Sequence, residues 1–164
     1  MSTRLSDFIE QRRETIANRW VDILLAESAS EALPRDEVRN SIIDFLQDVA
    51  VGLRDEAVWP WKNRPGEATA QAKHHGQQRF RLGYNLDALI REYATLRDVL
   101  YELMAAEDFH PQPSESHAFS RFLIEGIANA ATQYAHERDA EVRADAELVE
   151  RGLVAGERVR AGVA

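Results

Sequence analysis

Cysteine is missing from all 164 residues. That absence excludes a disulfide framework, a thiolate zinc site and a cysteine nucleophile, and it fits a reducing compartment. No apolar run reaches signal-peptide or membrane-span length, and the N-terminus, Met1-Ser2-Thr3-Arg4-Leu5-Ser6-Asp7, meets charge at once. A cytoplasmic chain without membrane insertion is expected. An excess of positive charge is lacking too. The net charge is -8, which favours neither a phosphate backbone nor an anionic membrane surface, so no nucleic-acid partner is expected. There is no internal repeat, no low-complexity tract and no convincing strand pattern.

What is present is a globular composition, 45% hydrophobic and 29% charged. The length suits one domain with a core of its own. Five helical patterns fill it. The first runs from about Asp7 to Glu27, with Phe8, Ile9, Ile16, Trp20, Ile23 and Leu24 on one stripe and Ser6 as its expected N-cap. Pro34 suits the first turn of the second, whose stripe is Val38, Ile42, Phe45, Leu46, Val49 and Leu53. That pattern stops near Ala57, and Trp59-Pro60-Trp61-Lys62-Asn63-Arg64-Pro65-Gly66 is expected to be a loop, since prolines interrupt helices.

A third, more polar helix spans Glu67 to Leu82. Gly83 can take the left-handed position that ends it, and Asn85 can cap the next. The fourth stripe is Leu86, Leu89, Ile90, Tyr93, Leu96, Leu100, Leu103 and Met104, closed by Asp108-Phe109-His110-Pro111-Gln112-Pro113. The last helix starts near Ser114 or Ser116, buries Phe119, Phe122, Leu123, Ile127, Ala130, Ala131 and Tyr134, and then changes character. Its remaining apolar positions, Ala135, Val142, Ala146, Val149 and Leu153, fall partly on a seven-residue spacing, with charge between them and Asp139 interrupting. The expected fold class is all-α: a globin-like or helical-bundle domain of about five helices, with a long C-terminal helix extending into a coiled-coil-like linker.

Few residues suggest chemistry. His74 and His75 are adjacent and face different sides of a helix. Glu107 and His110 have the spacing of a di-iron half-site, without a second copy. His136-Glu137 lacks the second histidine of a zinc-protease helix, because Ala140 stands there. The same pair is similar to the phosphoacceptor box of histidine kinases, but Asp139-Ala140 replace its Thr-Pro. No glycine-rich phosphate cradle and no Ser/His/Asp order occurs. Neither a metal, a cofactor nor a catalytic residue is expected, and the chain is read as non-enzymatic.

The segment from His75 to Arg97 is unusual for polar groups on or beside the apolar stripe. His75 and Arg79 are four apart and share a face of the third helix; Tyr93 and Arg97 do so on the fourth. A guanidinium in the stripe must find a partner. One reading is a polar ligand pocket formed by His75, Arg79, Tyr84, Tyr93 and Arg97. The other, favoured, is an internal network, with Arg97 bound to Glu92 or to Glu102 of a partner subunit.

This segment resembles the N-terminal domain of RsbR-type stressosome proteins, which also occurs at the front of bacterial sensor histidine kinases. The pattern is carried by His75, Gly76, Arg79, Gly83, Tyr84, Leu86, Glu92, Tyr93, Leu96 and Arg97, and the resemblance covers roughly residues 5 to 135. It implies a dimeric, globin-like or bundle-like domain without haem that relays an input to a C-terminal output module or signalling partner. On that basis residues 1–134 would be the sensory domain. Residues 135–164 would be a signalling linker whose seam, Ala135, Val142, Ala146, Val149 and Leu153, lies against a second copy. The rival readings are an autonomous small-ligand or haem-binding globin-like protein and a helical enzyme of uncommon type. Against haem, Arg79 stands four residues before Gly83, where globin-coupled sensors place a histidine, and His75 is one turn earlier.

Overall fold

The structure is a computed structural model. It describes residues 4–27, 34–54 and 67–161, without the side chains of residues 27, 67–71 and 152–161. Five helices and no strand occur among the described residues: α1 (Leu5–Glu27), α2 (Arg35–Arg54), α3 (Glu67–Arg81), α4 (Leu86–Ala106) and α5 (Pro113–Ala161). The segment expected to loop from Trp59 to Gly66 lies outside the described residues. The chain is an all-α bundle with a long C-terminal helix. Helix α1 packs on α2 and α4, α3 on α2 and α5, and α4 on α5.

Buried stripes assemble one continuous core. Phe8, Ile9, Ile16, Trp20 and Leu24 of α1 meet the whole stripe of α2 from Val38 to Leu53. Removal of that apolar surface from water drives the packing, at about 25 cal/mol per Å². The N-terminus of α1 is not capped by Ser6, however. The helix begins at Leu5, which buries the Ser6 hydroxyl in its first turn without a hydrogen-bond partner. The cap comes from Glu115, whose Oε1 accepts from Leu5 N at 3.0 Å while its Oε2 accepts from Gln112 N at 3.0 Å. One buried carboxylate thus serves the free donors and the positive dipole ends of both α1 and α5.

The turn between α3 and α4 follows the local sequence. Gly83 adopts φ 75°, and Tyr84 N and Gly83 N donate to the carbonyls of Arg79 and Phe80, each at 3.0 Å. This is the Schellman closure, which needs a left-handed residue and so favours glycine. Asn85 then caps α4 by accepting from Ala88 N at 2.7 Å. The far end of α4 closes in the same way around Asp108 (φ 53°), with Phe109 N donating to Met104 O at 2.8 Å and the Phe109 ring stacked on Phe8.

The buried face of α4 is rotated from the expected stripe. Leu89, Glu92, Tyr93, Leu96, Val99, Leu100, Leu103 and Met104 point inward, while Leu86 and Ile90 are exposed. Helix α5 starts at Pro113, earlier than either serine, with proline in the first position where its missing N–H costs nothing. Its 49 residues span about 73 Å at 1.5 Å per residue. Phe119, Leu123 and Ala130 are buried, and Phe122, Ile127 and Tyr134 pack partly against the core. Helix α3 approaches α5 closely at Gly76, where a Cβ would overlap the Ala130 carbonyl.

Candidate functional site

The interior of the bundle holds a charged cluster centred on Glu92, which is 2% exposed. Arg79 Nε shares its proton between the two carboxylate oxygens, at 2.8 and 2.9 Å. His75 Nε2 lies 2.8 Å from Oε2. The Glu92 backbone carbonyl accepts from Trp20 Nε1 at 2.8 Å. Three helices therefore converge on one residue. Arg79 is fully buried. Its Nη1 donates to Gln78 Oε1 at 2.9 Å, and Gln78 Nε2 continues to Glu37 Oε1 at 2.7 Å, but its Nη2 has no partner.

Local sequence explains how these groups meet. The four-residue spacing of His75 and Arg79 sets both on one face of α3. The Schellman turn swings the Tyr84 ring to 5.3 Å from the Arg79 guanidinium, a cation–π distance. Tyr93 packs edge-on against both His75 and Phe45, each with ring centroids 5.6 Å apart.

Burial dominates the proton affinities. It pushes His75 below the ordinary imidazole value, more than the bond to Glu92 raises it, and the Arg79 charge adds to the lowering. Burial raises Tyr84 to about 12, with the Glu92 charge contributing, and it raises Tyr93 as well. With His75 neutral, the ion pair of Arg79 and Glu92 is balanced. Such a pair recovers its desolvation cost only when its hydrogen bonds are well made, and it commonly serves to define packing. The space beside it, lined by Trp20, Ser41, Phe45, His75, Glu92 and Tyr93 among others, measures about 10 Å³. That is room for about one water, far below the 300–1,000 Å³ or so of a drug-sized ligand pocket.

Of the five residues expected to line a site, His75, Arg79, Tyr84 and Tyr93 are brought together. Arg97 is not. Its side chain is 53% exposed, and it pairs with the adjacent Asp98 at 2.8 Å. Glu92 pairs with Arg79 instead, and Glu102 lies 3.4 Å from Arg19 of the same chain. The reason is the rotation of α4. Arg97 lies about 90° from the centre of the buried stripe at ~100° per residue. Trp20 was expected in the core without a polar role. Glu92, expected as a possible partner of Arg97 and as part of the family pattern, was not among the expected site residues, although it stands three residues after Leu89 and four before Leu96, squarely within the stripe.

Along the far half of α5, Ala135 is half-buried, whereas Val142, Ala146 and Val149 are exposed. Leu148 is exposed beside them, and the side chain of Leu153 lies outside the described residues. No group of three or more potential metal ligands occurs among the described residues. Glu107 binds Arg12, and His110 and His136 face solvent. No helix among the described residues is long and apolar enough to cross a membrane.

The bundle thus holds an ion cluster inside and carries a helix that runs far beyond its core. A family model described as the RsbT co-antagonist protein rsbRD N-terminal domain matches residues 14–149, most of the chain. The chain belongs to this family of RsbR-type signalling domains. No curated protein and no solved structure gives a significant match.

Proposed function

We propose that this chain is a non-catalytic input domain that dimerises along α5 and relays a signal through that helix to a C-terminal output module. The module would be that of an RsbR-type stressosome regulator or of a cytoplasmic sensor histidine kinase. One observation carries the reading. Beyond Tyr134 the same unbroken helix continues with Val142, Leu148 and Val149 each 60–64% exposed, next to Ala146. Exposed apolar residues at near-heptad spacing are covered when a second helix lies against them. Residues 1–134 are then the input domain and 135–164 the linker, and phosphotransfer belongs to the output module.

The test is sedimentation of the chain at tens of micromolar, roughly where weak interfaces dissociate. A dimer is expected, and the pair Val142→Glu and Val149→Glu is expected to turn it into a monomer without loss of helix content. A wild-type monomer at that concentration, or a dimer indifferent to both substitutions, would overturn the proposed seam.

A further inference from the structure

We propose that His75, Arg79 and Glu92 form a proton-responsive latch: uptake of one proton by His75 loosens the hold of α3 on α4 and, through Tyr84 and Tyr134, resets the root of the α5 extension. The first half of this inference is independent of the dimer reading; the second half rests on α5 being the output helix.

Two basic side chains share one buried carboxylate, with His75 Nε2 at 2.8 Å from Glu92 Oε2 and Arg79 Nε at 2.8 Å from Oε1. While His75 is neutral, the Arg79 and Glu92 charges cancel. A proton on the imidazole leaves two cations facing one anion. The charged groups around it offer no relief. Helix α3 contributes Arg79 and the neighbouring His74, and α4 contributes Glu92 and the un-ionised Tyr93. Helices α1 and α2 present only uncharged side chains to the space beside it: Trp20, Ser41, Ile42 and Phe45. That space admits about one water, so solvation of a new charge is poor. Arg79 Nη2 already lacks a partner. The lowered proton affinity of His75 agrees with this picture, and imidazole is the side chain that titrates between about pH 5 and 8.

The cluster is physically continuous with α5. Tyr84, whose ring lies 5.3 Å from the Arg79 guanidinium, accepts on its backbone carbonyl from the Tyr134 hydroxyl at 2.6 Å. The Phe80 ring meets Tyr134 edge-on, and Gln77 Nε2 donates to Glu137 Oε1 at 2.8 Å. Thus α3 and its turn grip α5 at the point where its core contacts end. Disturbing the latch changes the same elements that hold Tyr134 and Glu137.

Trp20 provides a local reporter, because its indole donates to Glu92 and its ring centroid lies 6.5 Å from that of His75. Trp59→Phe with Trp61→Phe leaves it the sole indole of the three in the chain. In that background, Trp20 emission is expected to stay constant above about pH 6.5 and to change reversibly as the pH falls below it, at constant far-UV circular dichroism. The transition is expected to vanish in His75→Gln. In parallel, the His75 imidazole resonances are followed by NMR. Flat emission, the same transition in His75→Gln, or a His75 that stays neutral until the whole chain unfolds would each overturn the latch. The NMR titration of the unsubstituted chain decides the matter if His75→Gln does not fold. For the relay, backbone hydrogen exchange at residues 130–140, corrected for its intrinsic pH dependence, is expected to rise on acidification and to lose that response in Tyr134→Phe. Unchanged exchange there while Trp20 responds overturns the relay. Sedimentation of the same samples is scored separately: a monomer defeats the dimer reading and leaves the Trp20 result standing.

Discussion

Arg79 is fully buried, while Val142 is 60% exposed. The two regions they belong to handle unfavourable surface in opposite ways. Between α3 and α4, charge is taken out of water and paired within the chain, so that one carboxylate serves a guanidinium and an imidazole. Beyond Tyr134, apolar side chains remain in water with nothing among the described residues to cover them. A buried ion cluster has strict geometric needs and fixes how helices pack. An exposed apolar edge has weak geometric needs and leaves room for a partner. The difference teaches where this fold is rigid and where it is open to exchange.

The comparison can be broken first at the cluster. Glu92→Leu leaves Arg79 buried without its counter-ion and is expected to cost about 3–5 kcal/mol in urea unfolding. Adding Arg79→Met should recover much of that loss, because a paired apolar replacement removes both charges. A cost below about 1 kcal/mol for Glu92→Leu would show that water reaches the site. Gly76→Ala tests the close contact of α3 with α5. Overlap with the Ala130 carbonyl is expected to cost about 1–3 kcal/mol, despite the gain of roughly 1 kcal/mol in helix propensity. A raised melting temperature would mean that the two helices separate freely.

Acidity sharpens the comparison further. The folded chain holds His75 below its ordinary value of 6.5, so the unfolded chain binds more protons as pH falls through that value. This contribution to stability is therefore unchanged above about pH 6.5 and declines below it. Its slope is at most about 1.4 kcal/mol per pH unit, levelling once the folded imidazole is itself protonated. Urea midpoints of the native chain and of His75→Gln across that window isolate the term. The smallest effect is expected at Arg97. Among the described residues it pairs with its neighbour Asp98 on the surface, so Arg97→Ala should stay within about 0.5 kcal/mol by thermal melting. A larger loss would give that side chain a role that its exposure does not suggest.

Much of this molecule was legible one residue at a time. The five helices, the left-handed Gly83, the Asn85 cap and the shared face of His75 and Arg79 all follow from backbone preferences and a period of 3.6, which act over a few residues. The site was only half legible. His75, Arg79 and Tyr84 stand out, but Glu92 is paired with the wrong guanidinium, Arg97 in place of Arg79. Arg97 passes for a buried one because it is four residues from Tyr93.

The amino-acid sequence by itself thus determined the set of elements and, at the α3–α4 turn, the residues that end them. The tertiary structure decided which face of α4 turns inward, because that depends on the helices packed around it. It also decided that Glu115 caps a helix beginning 110 residues earlier, and that Glu92 joins α1, α3 and α4. Local propensity carries no information over such separations. Charge pairing in a low-dielectric interior does, and only the folded chain brings the partners within reach.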